Sequence, residues 1–210
     1  MGPGGPRSAA LVISECQRGI LDPAASGLPA LAAQAAERGI VARIALLASA
    51  FRAAGLPVVH CHIAHRPDLA GLKPNSLLGT LAIKNHTMIA GTPDALPPPE
   101  LAPHPGDHVS CRTTGITAFY GTDLDATLRL RSVETIVLTG VSTDVAIPGL
   151  AIEAVNRGYY VRIPADCVAG SSDQSYQFMM GGLLPIVARI TDADAVLASL
   201  AELAEGEQHP

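Results

Sequence analysis

Tryptophan is absent from the chain and aromatic residues make up only 3% of it. A cage of stacked rings for a base or a sugar is thereby excluded, and the core must be built from Leu, Ile, Val and Ala. Lysine is nearly missing as well. Lys73 and Lys84 are the only two, the other twelve of the 14 cationic residues being arginine, so chemistry that needs an amine has two places to look. The net charge is −5 and no basic cluster offsets it, which argues against nucleic acid and anionic membranes as partners. No apolar run approaches the roughly 18–20 residues of a membrane span; the longest, near Ile44 to Ala50, lies between Arg43 and Arg52. The first apolar run meets Ser14 and Glu15 too soon for a secretory signal, so a cytoplasmic location is expected. There is no C-x-x-C pair. Cys16, Cys61, Cys111 and Cys167 are widely scattered, as reduced thiols are, and small buried hydrophobes are their default reading.

What is present is a 48% hydrophobic chain of 210 residues, enough for one substantial core. A single domain over 1–210 is expected, with 1–8 and 205–210 as flexible tails. Short β-rich runs alternate with helical stretches, the pattern of βαβ units. Strands are expected at Ala9 to Ser14, Pro57 to Ile63, His108 to Arg112, Glu134 to Thr139, Tyr159 to Ile163 and Ile186 to Ile190. Helices are expected at Leu28 to Ala54, at Thr122 to Arg131 with Thr122 as N-cap, and at Thr143 to Arg157. Two more follow, from Asp173 to about Leu184 and from Asp192 to Ala204. Between Ala64 and Gly106 the composition turns to Pro, Gly and Asn, an excursion long enough to be functional, expected to pack over the sheet edge or on a neighbouring subunit. The fold class is α/β: a doubly wound, six-stranded parallel sheet with helices on both faces.

Ligands of such sheets bind beyond the carboxyl ends of the strands. The residues there are Glu15 and Gln17 after the first strand, His62, His65 and Arg66 after the second, Ser142 to Asp144 after the fourth, and Asp166 and Ser171 after the fifth. His60, His62 and His65 form an H-x-H-x-x-H string that invites a metal reading. His60 falls inside its strand, however, and the spacing is a weak motif; no metal and no cofactor are expected.

Five segments, LVISECQRG, FRAAGLPVVHCHIAHRP, TAFYGTDLDATLR, ETIVLTGVSTDVA and AVNRGYYVRIPADCVAG, resemble in order the isochorismatase-like hydrolase superfamily, from Ala10 to Leu200. The resemblance implies the same six-stranded sheet, a homodimer or homotetramer, and a small-molecule substrate. It also implies a cis peptide at Val141-Ser142. Amidases of that superfamily are similar to one another in an aspartate two residues before a glutamine, a lysine before an S/T-A-F segment, and a cysteine in G-x-x-T-x-x-C. The matching positions here read Glu15, Arg112 (or Thr113, one residue on) and Ala146.

Alanine cannot attack a carbonyl, so covalent catalysis at Ala146 is excluded. Isochorismatase-type members, which cleave an enol ether, also lack the cysteine and use the first-strand carboxylate as an acid. By that analogy Glu15 would be the acid or base, held among apolar residues with a raised pKa. Arg112 would clamp a substrate carboxylate. Gln17, His62, His65, Phe119, Ser142, Thr143 and Ala146 would line the pocket, with free N–H groups of the Gly140 to Thr143 turn as anion donors. The expected function is a small-molecule hydrolase without a cysteine nucleophile. Two alternatives stay open: an inactive binding module that keeps Glu15 and Arg112 as an ion pair, and an amidase with a relocated cysteine.

Overall fold

The structure is a computed structural model that describes residues 8–206. Of the expected tails 1–8 and 205–210, residues 1–7 and 207–210 lie outside the described residues, whereas Glu205 and Gly206 are the end of the last helix.

Parallel strands buried on both faces read as continuous apolar runs, and the two central ones do so here. β1 (Ala9–Ser14) and β4 (Thr135–Val141) are buried along their whole length. β1 pairs with β2 (Val58–Ile63) on one side and β4 on the other, and β2 pairs with β3 (His108–Arg112). β4 pairs with β5 (Tyr160–Pro164), and a two-residue β6 (Val168–Ala169) continues beside the end of β4. β7 (Arg189–Thr191) closes the order β3-β2-β1-β4-β5-β7, every pairing parallel. Chain direction across the sheet reverses between β1 and β4, so the switch point at which doubly wound folds bind ligands lies beyond Ser14 and Val141.

Alternation along β1 feeds two cores. Ala9, Leu11 and Ile13 pack with α2 (Pro29–Glu37), α3 (Ile40–Ala53) and α9 (Ala193–Gly206). Ala10 and Val12 pack with α5 (Leu124–Leu130), α6 (Ala146–Asn156) and α8 (Leu184–Val187). Two shorter helices, α1 (Arg18–Leu21) and α4 (Leu77–Asn85), belong to the ligand side of the sheet, and α7 (Asp173–Gly181) precedes α8.

Several boundaries differ from expectation, each for a local reason. The run from Leu28 to Ala54 is two helices, because Gly39 adopts a left-handed φ of 63° between them. The fifth helix starts at Leu124 with Asp123 at its cap, since Thr122 donates its hydroxyl to Ala118. The sixth starts at Ala146, because the Thr143 N–H is committed to Ala169 O at 2.9 Å and the Ser142 carbonyl takes the Ile147 N–H at 3.0 Å. Ile186 and Val187, expected to begin a strand, belong instead to a helical turn, Leu184–Val187, with Pro185 near its start, where proline's fixed φ suits a helix, and the strand begins only at Arg189. The excursion from 64 to 106 contains α4 and two 3-10 turns, Pro93–Ala95 and Pro99–Leu101. It folds over the carboxyl ends of β1 to β3: Gln17 Nε2 bonds Ala95 O at 2.6 Å, Arg18 N–H bonds Leu96 O at 2.8 Å, and Ala64 N–H bonds Arg112 O at 3.0 Å.

His60 and His62 share the α3 face of β2, their rings 6.0 Å apart. His60 meets Asp107, which also binds Arg52 of α3. His62, expected on the pocket, is 9% exposed and turned away from the ligand side. Burial lowers its pKa to about 4 from the usual 6.5. A histidine buried neutral binds its proton more readily when unfolded, so its contribution is complete above pH 6.5 and lost as pH falls through about 4. That loss is at most about 3 kcal/mol. Urea unfolding at pH 4.5 and 7 should therefore show a steep acid dependence that flattens by up to about one proton in His62→Gln; equal slopes in the two proteins would refute the assignment.

A second expectation concerns the β1–β4 contact. Gly140 has φ 101°, and a Cβ there would lie 2.1 Å from Ser14 O. Gly140→Ala should cost at least about 3 kcal/mol in urea unfolding, combining left-handed strain with backbone overlap. A loss below about 1 kcal/mol would mean that the strands separate easily.

Candidate active site

β1 ends at Ser14, and Glu15 leaves the sheet with a left-handed φ of 53°. This turn, rather than strand alternation, directs the carboxylate to the ligand side while Cys16 enters the α3-side core. The Glu15 N–H stays tied to Cys61 O at 2.9 Å. Arg112, the last residue of β3, donates a short hydrogen bond from Nη2 to Glu15 Oε1. Its side chain is 3% exposed and that of Glu15 is 15% exposed. The sequence reading had surrounded Glu15 with apolar groups; a guanidinium lies against it instead. Arg112 Nη1 is buried without a hydrogen-bond partner, an arrangement costly for a charged donor unless a ligand completes it.

Both residues line a cavity of about 990 Å³ beyond the switch point, at the upper end of the usual range for small-molecule pockets. His65, Ser142 and Ala146 share the wall. His65 is fixed by a 2.9 Å contact between Nδ1 and Thr113 O, and Thr113 itself is off the wall. The Val141-Ser142 peptide is cis. Ala146 is the first residue of α6, so its N–H belongs to the turn that lacks intrahelical acceptors.

Three other expected wall residues support the site without facing it. Gln17 is fully buried: Nε2 donates to Ile63 O at 2.8 Å and Ala95 O at 2.6 Å, while Oε1 accepts from Ile63 N at 2.8 Å. It ties the ends of β1 and β2 to the excursion and has no donor left for a ligand. Thr143 is buried with its hydroxyl so close to Gly170 that a Cβ there would sit 2.5 Å from it. Phe119 lies under the Arg157 guanidinium, 4.4 Å from its ring, and stacks on Tyr159. Its neighbour Tyr120 takes the place on the wall.

The sequence reading missed Lys73, one of the two lysines, which also lines the cavity. Only the scarcity of amines pointed to it. Asp144, among the strand-end residues the sequence pointed to, is on the wall and accepts from the Ser171 N–H at 2.7 Å. His60, His62 and His65 do not converge, and no three or more metal-ligating side chains cluster among the described residues. All four cysteines are described and none lines the cavity. Burial pushes the Cys61 and Cys167 thiols up to about 12 and raises those of Cys16 and Cys111. No helix among the described residues is long and apolar enough to cross a membrane.

A family model described as the isochorismatase domain matches residues 9–195. The isochorismatase family protein YecD of Escherichia coli O157:H7 is 30% identical over 202 residues, 92% of this chain and 97% of that protein. The ureidoacrylate amidohydrolase RutB of Methylobacterium radiotolerans is 30% identical over 148 residues, 65% of this chain and 57% of its own length. Among solved structures, an isochorismatase family protein from Desulfovibrio vulgaris superposes with a TM-score of 0.80 at 27% identity, covering 93% of this chain and 99% of that one. An N-carbamoylsarcosine amidase from Thermoplasma acidophilum shares the fold, with a TM-score of 0.68 at 23% identity over 89% of this chain and 97% of that one. The match to nearly the whole chain, together with the site at the switch point, shows that this protein belongs to the isochorismatase family of hydrolases.

Proposed function

We propose that this family member hydrolyses a small carboxylate substrate without a covalent intermediate, with Glu15, Arg112 and Ala146 at the positions where the amidases it resembles carry aspartate, lysine and cysteine. The observation that carries the proposal is that these three residues share one cavity and that the Arg112 Nη1 donor there has no protein partner. A methyl group at Ala146 offers no nucleophile, and no cysteine is on the wall to replace it. Water must then supply the attacking atom.

Arg112 divides its fork. Nη2 orients Glu15 and Nη1 anchors the substrate carboxylate. For a C–N substrate, Glu15 takes a proton from water as the water oxygen bonds to the carbonyl carbon, and then delivers that proton to the departing nitrogen. For an enol ether, Glu15 in its acid form gives its proton to the vinyl carbon, water adds to the oxocarbenium carbon and returns a proton to Glu15, and the resulting hemiketal collapses to a carbonyl and an alcohol. The first-turn N–H of Ala146 faces the negative charge that develops on the carbonyl oxygen in the C–N case. The bond cleaved is an ether, as in the enol ethers that isochorismatase-type enzymes cleave, or a C–N bond, as the name of RutB implies for that relative.

Incubation with a panel of small enol ethers and carbamoyl or ureido acids, followed by NMR, tests this reading. Glu15→Gln should lower kcat/KM on any substrate found by about 10²–10⁴-fold, whereas Cys16→Ala and Cys111→Ala should keep it. Full activity in Glu15→Gln, or loss in Cys111→Ala, would overturn the proposal. The mutual bonding of Glu15 and Arg112 also suits a binding module; saturable carboxylate binding without turnover across the panel would select that reading.

A further inference from the structure

The cavity is larger than catalysis on a small acid requires, and its walls are of two kinds. The polar end is formed by the strand termini, with Glu15, Arg112 and Ser142. Away from the strand ends the wall carries apolar side chains, Leu28 and Leu31 at the start of α2, Leu78, Leu81 and Ala82 of α4, and Ile116, beside polar ones such as Asn75 and Asn85.

The spacing 78, 81, 82 is i, i+3, i+4, which places those three side chains on one stripe of a helix. Such a stripe normally seals against protein. In α4 it lines the cavity: Leu78 is 42% exposed, and no other helix or strand packs extensively against α4. The helix is nonetheless well built, with the Ser76 hydroxyl accepting from the Gly79 N–H at 3.1 Å as its cap. At the strand ends Arg112 Nη1 has no partner; Lys73, beside the start of α4 on the same cavity wall, forms no ion pair among the described residues.

We infer that the ligand of this site is amphipathic: an anionic head held at Arg112, and an extended apolar tail of several carbons lying along the α2 start and the Leu78–Leu81–Ala82 stripe of α4. The inference rests on reading the cavity as the active site, and it specifies the substrate class left open there. Burying each methylene of the tail transfers apolar surface from water to the leucine walls, while the head stays at the strand ends where the bond is cleaved.

Ligand-observed NMR titration with butyrate, hexanoate and octanoate is the test. Affinity should rise about fourfold per methylene across the series. Leu81→Ser should reduce that gradient to less than about twofold, and Leu78→Trp, at a half-exposed position that tolerates bulk, should do so by filling the tail space. Far-UV circular dichroism identifies any variant that fails to fold, and the other then decides. A flat series in the native protein would overturn the inference, as would a gradient unchanged in both variants, which marks non-specific adhesion. A native oligomer that dissociates in Leu81→Ser while the gradient persists would assign the stripe to a second copy of the chain and equally overturn it. Turnover by Glu15→Gln is a separate readout. A flat gradient with Glu15-dependent turnover removes the tail and keeps the hydrolase, while a steep gradient with Glu15-independent turnover does the reverse.

Discussion

β1 and β4 run so close at their carboxyl ends that no side chain fits between them. Gly140 lies against the Ser14 carbonyl, and from that contact the two chains part, one into the left-handed turn at Glu15 and the other into the segment leading to Ala146. A side chain at residue 140 would push the strands apart and move Glu15 away from Ala146 with them. The spacing of the polar end is thus set by backbone, in the most deeply buried part of the sheet. Gln17 extends the same rigidity sideways to β2 through both atoms of its amide.

The Glu15–Arg112 pair is held under strict terms. Removing two charges from water costs more than their attraction returns unless further hydrogen bonds complete them. Nε of Arg112 reaches Gly115 O at 3.4 Å and Nη2 reaches Glu15, while Nη1 reaches nothing. A purely structural ion pair would gain by closing that last bond, which Arg112 leaves unmade among the described residues.

Much of this was legible in the sequence. Apolar runs located the strands, and the strand-end rule selected Glu15, His65 and Ser142, while Arg112 came only from the family resemblance. What it could not supply was side-chain direction: Gln17, Thr143 and His62 occupy the predicted places in the chain but point into protein. Phe119 and Tyr120 exchange roles for the same reason. Periodicity failed where glycine or proline intervened. Gly39 ends one helix and starts another through a left-handed φ that composition does not disclose. α4 was hidden because its nine residues, which hold one glycine and no proline, lie between Pro74 and the proline-rich run that begins at Pro93 and were read with the whole excursion. Lys73 lies in that same stretch, so its position on the cavity wall became visible only once the excursion was seen to fold back over the sheet ends.

That folded-back segment gives the molecule a division of labour. Residues 64–106 are tied to the strand ends through Ala64 N–H on Arg112 O, the His65 ring on Thr113 O and Gln17 on Ala95 O, and they supply much of the cavity wall. Substitutions within α4 reshape the space a ligand occupies without entering either hydrophobic core. Changes to the strand ends, by contrast, are constrained by close packing on both faces. A lineage built on this fold can therefore alter what it accepts quickly and what it does to it slowly, because the two properties reside in parts of the chain that bear different burdens of stability.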